Sequence, residues 1–366
     1  MKNQIFELFG YALENKSDKA IYFRKNCICP FTNNICDGGG NRYQTFLTKD
    51  DVEENKLRKY FTGDLRIIPP GVCSLLVKDV RWIVCPRRIF AFSQNAENTE
   101  HNDFVSSLLK KYCSLEKGKK IGIWSEVKVK YSEENQEDDR KSFDYTFDYI
   151  AASLGSKKIS EIAQKLKISE TKLRKQAEEN GYTIAMRGED YYIEDFPTGN
   201  LNIIEIMTSS TSGGNKNKGT TIQQSFVNAI KGEEHESPGI NYRQVWARMV
   251  SQLIVKSQIG KAWNSKTLWI LQDSLSNYIT QSTDLNLTKL ISDVAKEVNL
   301  VTIKYSDKTD NNDCLKLQEH NLYAGEIPKI TSDTDFNKLL QAAIIPEMEE
   351  INCKLVLKKI KKKLIY

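Results

Sequence analysis

The stretch FDYTFDYIAAS at residues 143–153, read with LNIIEIMTSS at 201–210, decides the fold class of this 366-residue chain. Thr146–Ala151 and Leu201–Thr208 each alternate or run apolar over a short length, the pattern of β-strands. Each strand carries an acid where strands usually avoid one. Asp148 stands at the edge of an apolar strand, and Glu205 stands inside one, between Ile204 and Ile206. A carboxylate buried in a strand is costly unless it is paired or holds a cation. Two such groups on adjacent strands make an oxygen-rich site suited to Mg2+, which lowers the pKa of a bound water and offsets charge on a phosphate. Glu126, in GIWSEVKVKY, is a third candidate of the same kind. The plainer reading of each is a strand residue facing solvent. That reading is weakest for Glu205 and evenly balanced for Glu126.

Around this pair the same patterns continue. Ile121–Tyr131, Lys266–Leu271 and Leu300–Tyr305 read as further strands. Residues 102–113, 240–260 and 284–298 read as helices, the second with Val245, Met249 and Leu253 on one side and the third N-capped by an Asp. Strands mixed with helices predict an α/β or α+β core. Residues 209–221, SSTSGGNKNKGTT, form a polar Gly-rich loop, either a mobile lid or an ordered wall against a ligand. Residues 133–141, EENQEDDRK, read as an acidic loop.

Composition narrows the function class. The charged content is 28% and the chain has no run of eighteen apolar residues, so a soluble protein with no membrane partner is expected. No secretory signal is visible, which predicts a cytoplasmic location and reduced cysteines. The net charge of +5 permits a nucleic-acid partner without demonstrating one. The segment from Lys354 to Lys363 carries six lysines among Leu, Val and Ile. It reads as a strand or helix with one solvated face, or as a stripe that contacts phosphates.

Five of the eight cysteines, Cys27, Cys29, Cys36, Cys73 and Cys85, lie in the first 85 residues. Cys29, Cys36, Cys73 and Cys85 have turn-like neighbours, and turns present thiolates in pairs to a tetrahedral metal. The three histidines, His101, His235 and His320, are not near them in sequence, which favours an all-cysteine site for Zn or Fe. All four positions would be filled by protein, so the site would be structural. Cys27 is a possible substitute for Cys29. Buried reduced thiols are the bland alternative, and Cys113, Cys314 and Cys353 fit it.

In order along the chain, FGYALENKSDKA (9–20), CPFTNNIC (29–36), PGVCSLL (70–76), VCPRRIF (84–90), SEVKVKY (125–131), FDYTFDYIAAS, IIEIMTSSTSGG (203–214) and GINYRQVWARMVSQLIVK (239–256) resemble the NotI-type restriction endonucleases. The resemblance covers most of residues 5–275. It implies a PD-(D/E)xK restriction-endonuclease-like nuclease core and Mg2+-dependent cleavage of both strands of double-stranded DNA. It also implies a homodimer and a cognate DNA methyltransferase. Carried over residue by residue, Cys29, Cys36, Cys73 and Cys85 become ligands of the structural metal, Asp148 the core Asp and Glu205 the acid of the next strand. Glu126 matches an auxiliary upstream Glu. The domain plan that follows is a four-cysteine metal-binding region at 1–95, a nuclease core at 96–156 and 196–366, and an insert at 157–195.

Two departures stand out. The family places a Gln, or the wider superfamily a Lys, two residues after the strand carboxylate, where this chain has Met207. Met cannot orient a water or stabilise charge on a phosphate. Gln252 and Lys256 on the following helix, or Gln223 and Gln224 beyond the loop, are candidates to supply that function. The second departure is the 56 residues between Asp148 and Glu205. Within them, Ile159, Ile162, Ala163 and Leu166 form one helical face. Ser169 caps a second helix carrying Leu173 and Ala177, and YTIAMRGEDYYI reads as a hairpin. The unit resembles a winged helix-turn-helix with Thr171, Lys172, Arg174 and Lys175 opening a DNA-contacting recognition helix. The plainer role is a packing decoration. The expectation is a Type II restriction endonuclease that cuts a palindromic site as a homodimer, with Asp148, Glu205 and Glu126 catalytic. The alternative is a sequence-specific DNA-binding regulator on an inactive nuclease fold.

Overall fold

The computed structural model describes residues 2–38, 47–62, 67–69, 71–92, 99–131, 143–282, 287–327 and 345–366. The N-terminal part supplies β1 (Gln4–Leu8), β2 (Tyr11–Ala12), α1 (Asp18–Lys25), β3 (Ile28–Cys29) and β4 (Asn34–Ile35). It continues with β5 (Leu47–Thr48), α2 (Lys49–Glu54), β6 (Ile67–Ile68), β7 (Val72–Val77), β8 (Val80–Ile83) and α3 (Pro86–Ile89). Its main sheet runs β2-β1-β7-β8, and two short hairpins pair β3 with β4 and β5 with β6.

The rest is built on one mixed sheet. Its elements are α4 (Thr99–Tyr112), β9 (Lys120–Tyr131), β10 (Phe143–Lys158), α5 (Ile159–Lys165), α6 (Glu170–Glu179), β11 (Ile184–Arg187) and β12 (Asp190–Met207). After these come α7 (Ile222–Lys231), α8 (Tyr242–Ala262), β13 (Thr267–Gln272), α9 (Asp273–Ser282), β14 (Val298–Thr309), β15 (Leu315–Gly325), a C-terminal helix (Met348–Leu355) and β16 (Lys362–Ile365). The strand order is β15-β14-β13-β12-β10-β9-β16, with β11 hydrogen-bonded to the outer part of β12. The central strands β12, β13 and β14 are parallel, and β9, β10 and β12 are antiparallel neighbours. The mixed α/β architecture expected from the strand and helix patterns is therefore present.

Burial on both faces explains why β12 and β13 read as apolar runs rather than alternating ones. Ile204 and Ile206 pack with Val105, Leu108 and Leu109 of α4 on one side. Met207 packs on the other side with Val245 and Met249 of α8, and Ile203 packs there with Ile259. The sheet thus lies between helical layers, and α8 lies on the face to which Glu205 also points.

The N-terminal sheet is tied to this core by a buried polar knot. Arg88 donates through Nε to both carboxylate oxygens of Glu7, at 3.1 and 3.2 Å. Ser74 and Tyr305 donate to the same carboxylate at 2.8 and 2.7 Å. Arg88 also donates to the Leu315 carbonyl. Tyr305 and Leu315 belong to β14 and β15, so the knot spans both sheets.

The helix predicted over 284–298 is not seen in its described part: among residues 287–298 the chain makes a 3-10 turn at Leu287–Leu290, and β14 begins at Val298. The predicted cap, Asp284, lies outside the described residues. The Asn299 side chain accepts from Lys296 N and donates to the carbonyls of Lys296 and Thr267. Ser292 Oγ bonds to Val294 in both directions. Such side-chain bonds offer the backbone an alternative to helix. The acidic segment 133–141 also lies outside the described residues. The loop 209–221 is held at several points: Thr211 bridges Ile240, Ser212 N donates to the Gly239 carbonyl, and Thr221 caps α7. Among the described residues, no helix is long and apolar enough to cross a membrane.

The insert folds as its pattern predicts. α5, a turn and α6 precede a β11–β12 hairpin whose turn holds Gly188 in a left-handed conformation. Ser169 caps α6, and Leu173 and Ala177 are its buried residues. The base of the insert is continuous with the core, because β10 runs on to Lys158 and β12 starts at Asp190.

Candidate active site and thiol pocket

β10 and β12 separate at Asp148 and Glu205. The last ladder pairs before the fork are Tyr149 with Ile204 and Ile150 with Ile203. Beyond them β10 pairs with β9 and β12 pairs with β13. At the fork, side chains take over from the ladder. Asp148 N donates to Glu205 Oε1 at 3.3 Å, and Ile206 N donates to Asp148 Oδ2 at 2.9 Å. The two carboxylates expected to share a cation therefore face each other across the fork. Glu205 is buried and Asp148 half-buried.

A polar group from α8 reaches Glu205, two residues before Met207. Lys256 Nζ lies 2.5 Å from Glu205 Oε2. It also donates to the Thr146 carbonyl at 2.7 Å and to Gln252 Oε1 at 3.4 Å. All three ammonium donors are thereby satisfied. Lys256 continues the face of α8 that carries Val245, Met249 and Leu253, so a lysine on the core side of that helix was the sequence signal. Met207 itself is 7% exposed and packs in the core. Gln223 and Gln224 lie on α7, where Gln224 donates to Asn228.

Burial pushes the Glu205 carboxyl up, the Asp148 charge raises it further and Lys256 opposes them, leaving it at about 8. A carboxyl raised on folding binds its proton more tightly in the folded chain. Its contribution to stability is full below its ordinary value of 4.5 and is lost as pH rises to about 8. Glu205→Gln is expected to flatten the fall in urea midpoint between those pH values. An unchanged pH profile would show that Glu205 does not titrate in that window.

Glu126 completes a row across three strands. The β9–β10 register pairs Val127 with Phe147 and Ser125 with Tyr149, which brings Glu126 level with Asp148. Its backbone φ of 51° breaks the regular pleat there. Its side chain is 62% exposed and lies 3.4 Å from Arg87 Nη2. Arg87 also donates to the Tyr149 hydroxyl at 2.8 Å and to Asp37 at 3.1 Å. Sequence reasoning missed Arg87, whose partners Asp37, Glu126 and Tyr149 come from three distant segments. Arg243 and Arg248 are exposed on α8.

Cys29, Cys36, Cys73 and Cys85 line one small pocket together with Arg87. Cys29 and Cys36 come from the β3–β4 hairpin region, Cys73 from β7, and Cys85 is the residue before α3. The thiols sense one another: Cys73 hydrogen-bonds to Cys85, and Cys29 and Cys36 both feel Cys85. Burial pushes Cys29 up to about 11, and Cys36 and Cys73 rise well above an ordinary thiol. Cys85 is lowered by the bond from Cys73 and by the amides of Arg88 and Arg87. Cys27 lies outside this pocket and packs in the core with Leu8 and Leu57. Cys113, Cys314 and Cys353 are buried elsewhere. As the side chains stand, no three His, Cys, Asp or Glu groups among the described residues are drawn together closely enough to hold a metal ion.

On the insert, Thr171, Lys172 and Lys175 are exposed at the start of α6. Arg174 is half-buried, with its guanidinium 4.6 Å from the centre of the Tyr191 ring on the wing. The insert thus offers two exposed cations to a partner and uses the third to brace its hairpin.

Compared with known proteins, the chain matches no protein-family model and no curated protein.

Proposed function

We propose that this chain is a Type II restriction endonuclease that cuts double-stranded DNA with Mg2+, on a PD-(D/E)xK core. The observation that carries the reading is the Asp148–Glu205–Lys256 constellation at the fork between β10 and β12. Two acids and one lysine at a strand fork supply the three side-chain functions of such a core. Here the lysine comes from a helix rather than from the strand. The donor set suits a hard divalent cation: two carboxyl groups on neighbouring strands offer oxygen ligands, and the raised proton affinity of Glu205 marks a place short of positive charge.

When bound there, Mg2+ supplies Lewis-acid charge and a more acidic bound water for in-line attack on phosphorus. The protein groups do the rest. Asp148 and Glu205 offer oxygen ligands from two strands, and their bonds to the amides of Ile206 and Asp148 fix their orientation. Lys256 favours the ionised form of Glu205 and places an ammonium where phosphate charge accumulates. Cys29, Cys36, Cys73 and Cys85 would hold a structural Zn or Fe. Two copies acting on a palindromic site, beside a cognate methyltransferase, complete the proposed system.

The test is incubation of purified protein with unmethylated plasmid or phage DNA and Mg2+. Discrete fragments, lost in Glu205→Ala, support the endonuclease. Sequence-selective binding without cleavage under any divalent cation would favour the regulator instead. For the insert, Lys172→Ala with Lys175→Ala is expected to weaken duplex binding. The slope of log affinity against log salt should shrink by about 0.9 for each phosphate that the variant no longer neutralises. An unchanged slope would assign the insert to packing. Substitution is the cleaner route, because β10 and β12 run through the base of the insert.

A further inference from the structure

The lysine-rich C-terminal segment is fixed between the insert and the carboxylate row. Asn180, at the end of α6, donates through Nδ2 to the Val356 carbonyl and accepts at its own carbonyl from Ile360 N. Tyr182 donates to the carbonyls of Leu355 and Lys358, and itself accepts from Trp124 Nε1. On the other side, Lys361 N donates to the Ile123 carbonyl, and β16 then pairs with β9. The backbone of this segment therefore has a defined place.

Its cations do not share one fate. Lys354 pairs with Glu350, and Lys363 pairs with the buried Asp195 at 2.7 Å. Lys358 turns inward instead. Its Nζ donates to the Ser125 carbonyl at 3.2 Å, one residue before Glu126. Burial lowers the proton affinity of this ammonium, Glu126 raises it, and Lys361 and Lys128 lower it again. Lys358 reaches the Ser125 carbonyl, Lys361 is tied by its N–H to the Ile123 carbonyl and Lys128 stands on β9 two residues beyond Glu126, so three lysines lie along the short stretch of β9 that carries one exposed carboxylate. Like charges held together on an ordered scaffold are a local conflict that folding alone does not explain. An anion placed among them removes it.

We propose that Lys358, Lys361 and Lys128 form a phosphate-binding element that holds a DNA backbone phosphate beside the one cut at Asp148 and Glu205. This rests on the endonuclease reading for its ligand, but it concerns binding rather than cleavage. The element also gives the tail a reason to pass between insert and core: a duplex reaching α6 and the carboxylate row would cross it.

The experiment measures binding of a mixed-sequence DNA duplex, in Ca2+, by fluorescence anisotropy over a range of salt. Lys358→Gln, Lys361→Gln and Lys128→Gln keep the side-chain stem, and Lys308→Gln on the remote end of β14 is the control. Each of the three is expected to weaken binding about three- to tenfold and to shrink the salt slope by about 0.9, while the control changes neither. An unchanged slope in all three would overturn the proposal. So would a lower cleavage rate at saturating DNA with normal binding, because Lys358 would then act only by positioning Glu126. If the wild-type chain binds and never cuts, yet the slopes shrink, the endonuclease reading fails and this element stands. If the wild-type chain binds no duplex, both fail.

Discussion

Glu205→Ala and Asp148→Ala are each expected to lower the cleavage rate about a thousandfold or more. A charge-bearing group at the reacting phosphate is worth about 4 kcal/mol, and each 1.36 kcal/mol is roughly a tenfold change in rate. Lys256→Ala should be as damaging for activity and worse for stability. It leaves Glu205 buried beside Asp148 with no cation. Breaking a buried pair from one side costs about 3–5 kcal/mol. The double variant Glu205→Gln with Lys256→Met removes both charges and should recover much of that stability while remaining inactive. The measurements are the rate of plasmid linearisation and the urea midpoint of each variant. Cleavage by Glu205→Ala at near wild-type rate would end the hydrolytic assignment. Activity in Lys256→Ala would show that another group supplies the missing strand function.

Metal removal at the thiol pocket should have the larger effect on the fold. Purified protein is expected to carry about one Zn or Fe per chain by elemental analysis. Structural zinc contributes about 10–16 kcal/mol of binding free energy in small domains, and that energy belongs to folding. The strands of the N-terminal region that bring the thiols together are short. β3 and β4 have two residues each, and Cys73 and Cys85 come from other segments. A strong chelator, or Cys73→Ser, should therefore lower the melting temperature sharply and open 1–95 to proteolysis. Binding should weaken in acid, because the thiols raised by burial must lose protons to become ligands. A folded preparation with no transition metal, and with a melting temperature indifferent to chelator, would leave four buried thiols and no metal centre.

Much of this arrangement could be read from residues alone. The strands around Asp148 and Glu205 were visible because both faces of β12 are buried, which leaves an unbroken apolar run around one acid. The insert was visible because its helices are short and amphipathic, with a cap at Ser169 and a turn at Gly188. The Lys256 contact was only one of four candidates, since nothing in a helical pattern tells which residue reaches a strand fork. The helix expected over 284–298 failed for a related reason. Its apolar spacing was outweighed by Asn299 and Ser292, whose side chains bind nearby backbone in a way that spacing does not register. Lys358 was legible only as one of six lysines in a stripe, and nothing in VCPRRIF singled out Arg87. Their partners are assembled by the fold from segments far apart in the chain.

The knot of Glu7, Arg88, Ser74 and Tyr305 bears on how the protein would come apart. The guanidinium and the carboxylate both belong to the N-terminal region, sealed from water, and the Tyr305 hydroxyl and Leu315 carbonyl of the large sheet complete their bonds, so parting the two sheets leaves a buried ion pair short of partners. The N-terminal region and the large sheet should accordingly melt as one cooperative unit. A truncated chain starting near residue 96 would keep Tyr305 and the Leu315 carbonyl while losing what they hold, and should be recovered as an aggregate rather than as an independent nuclease module.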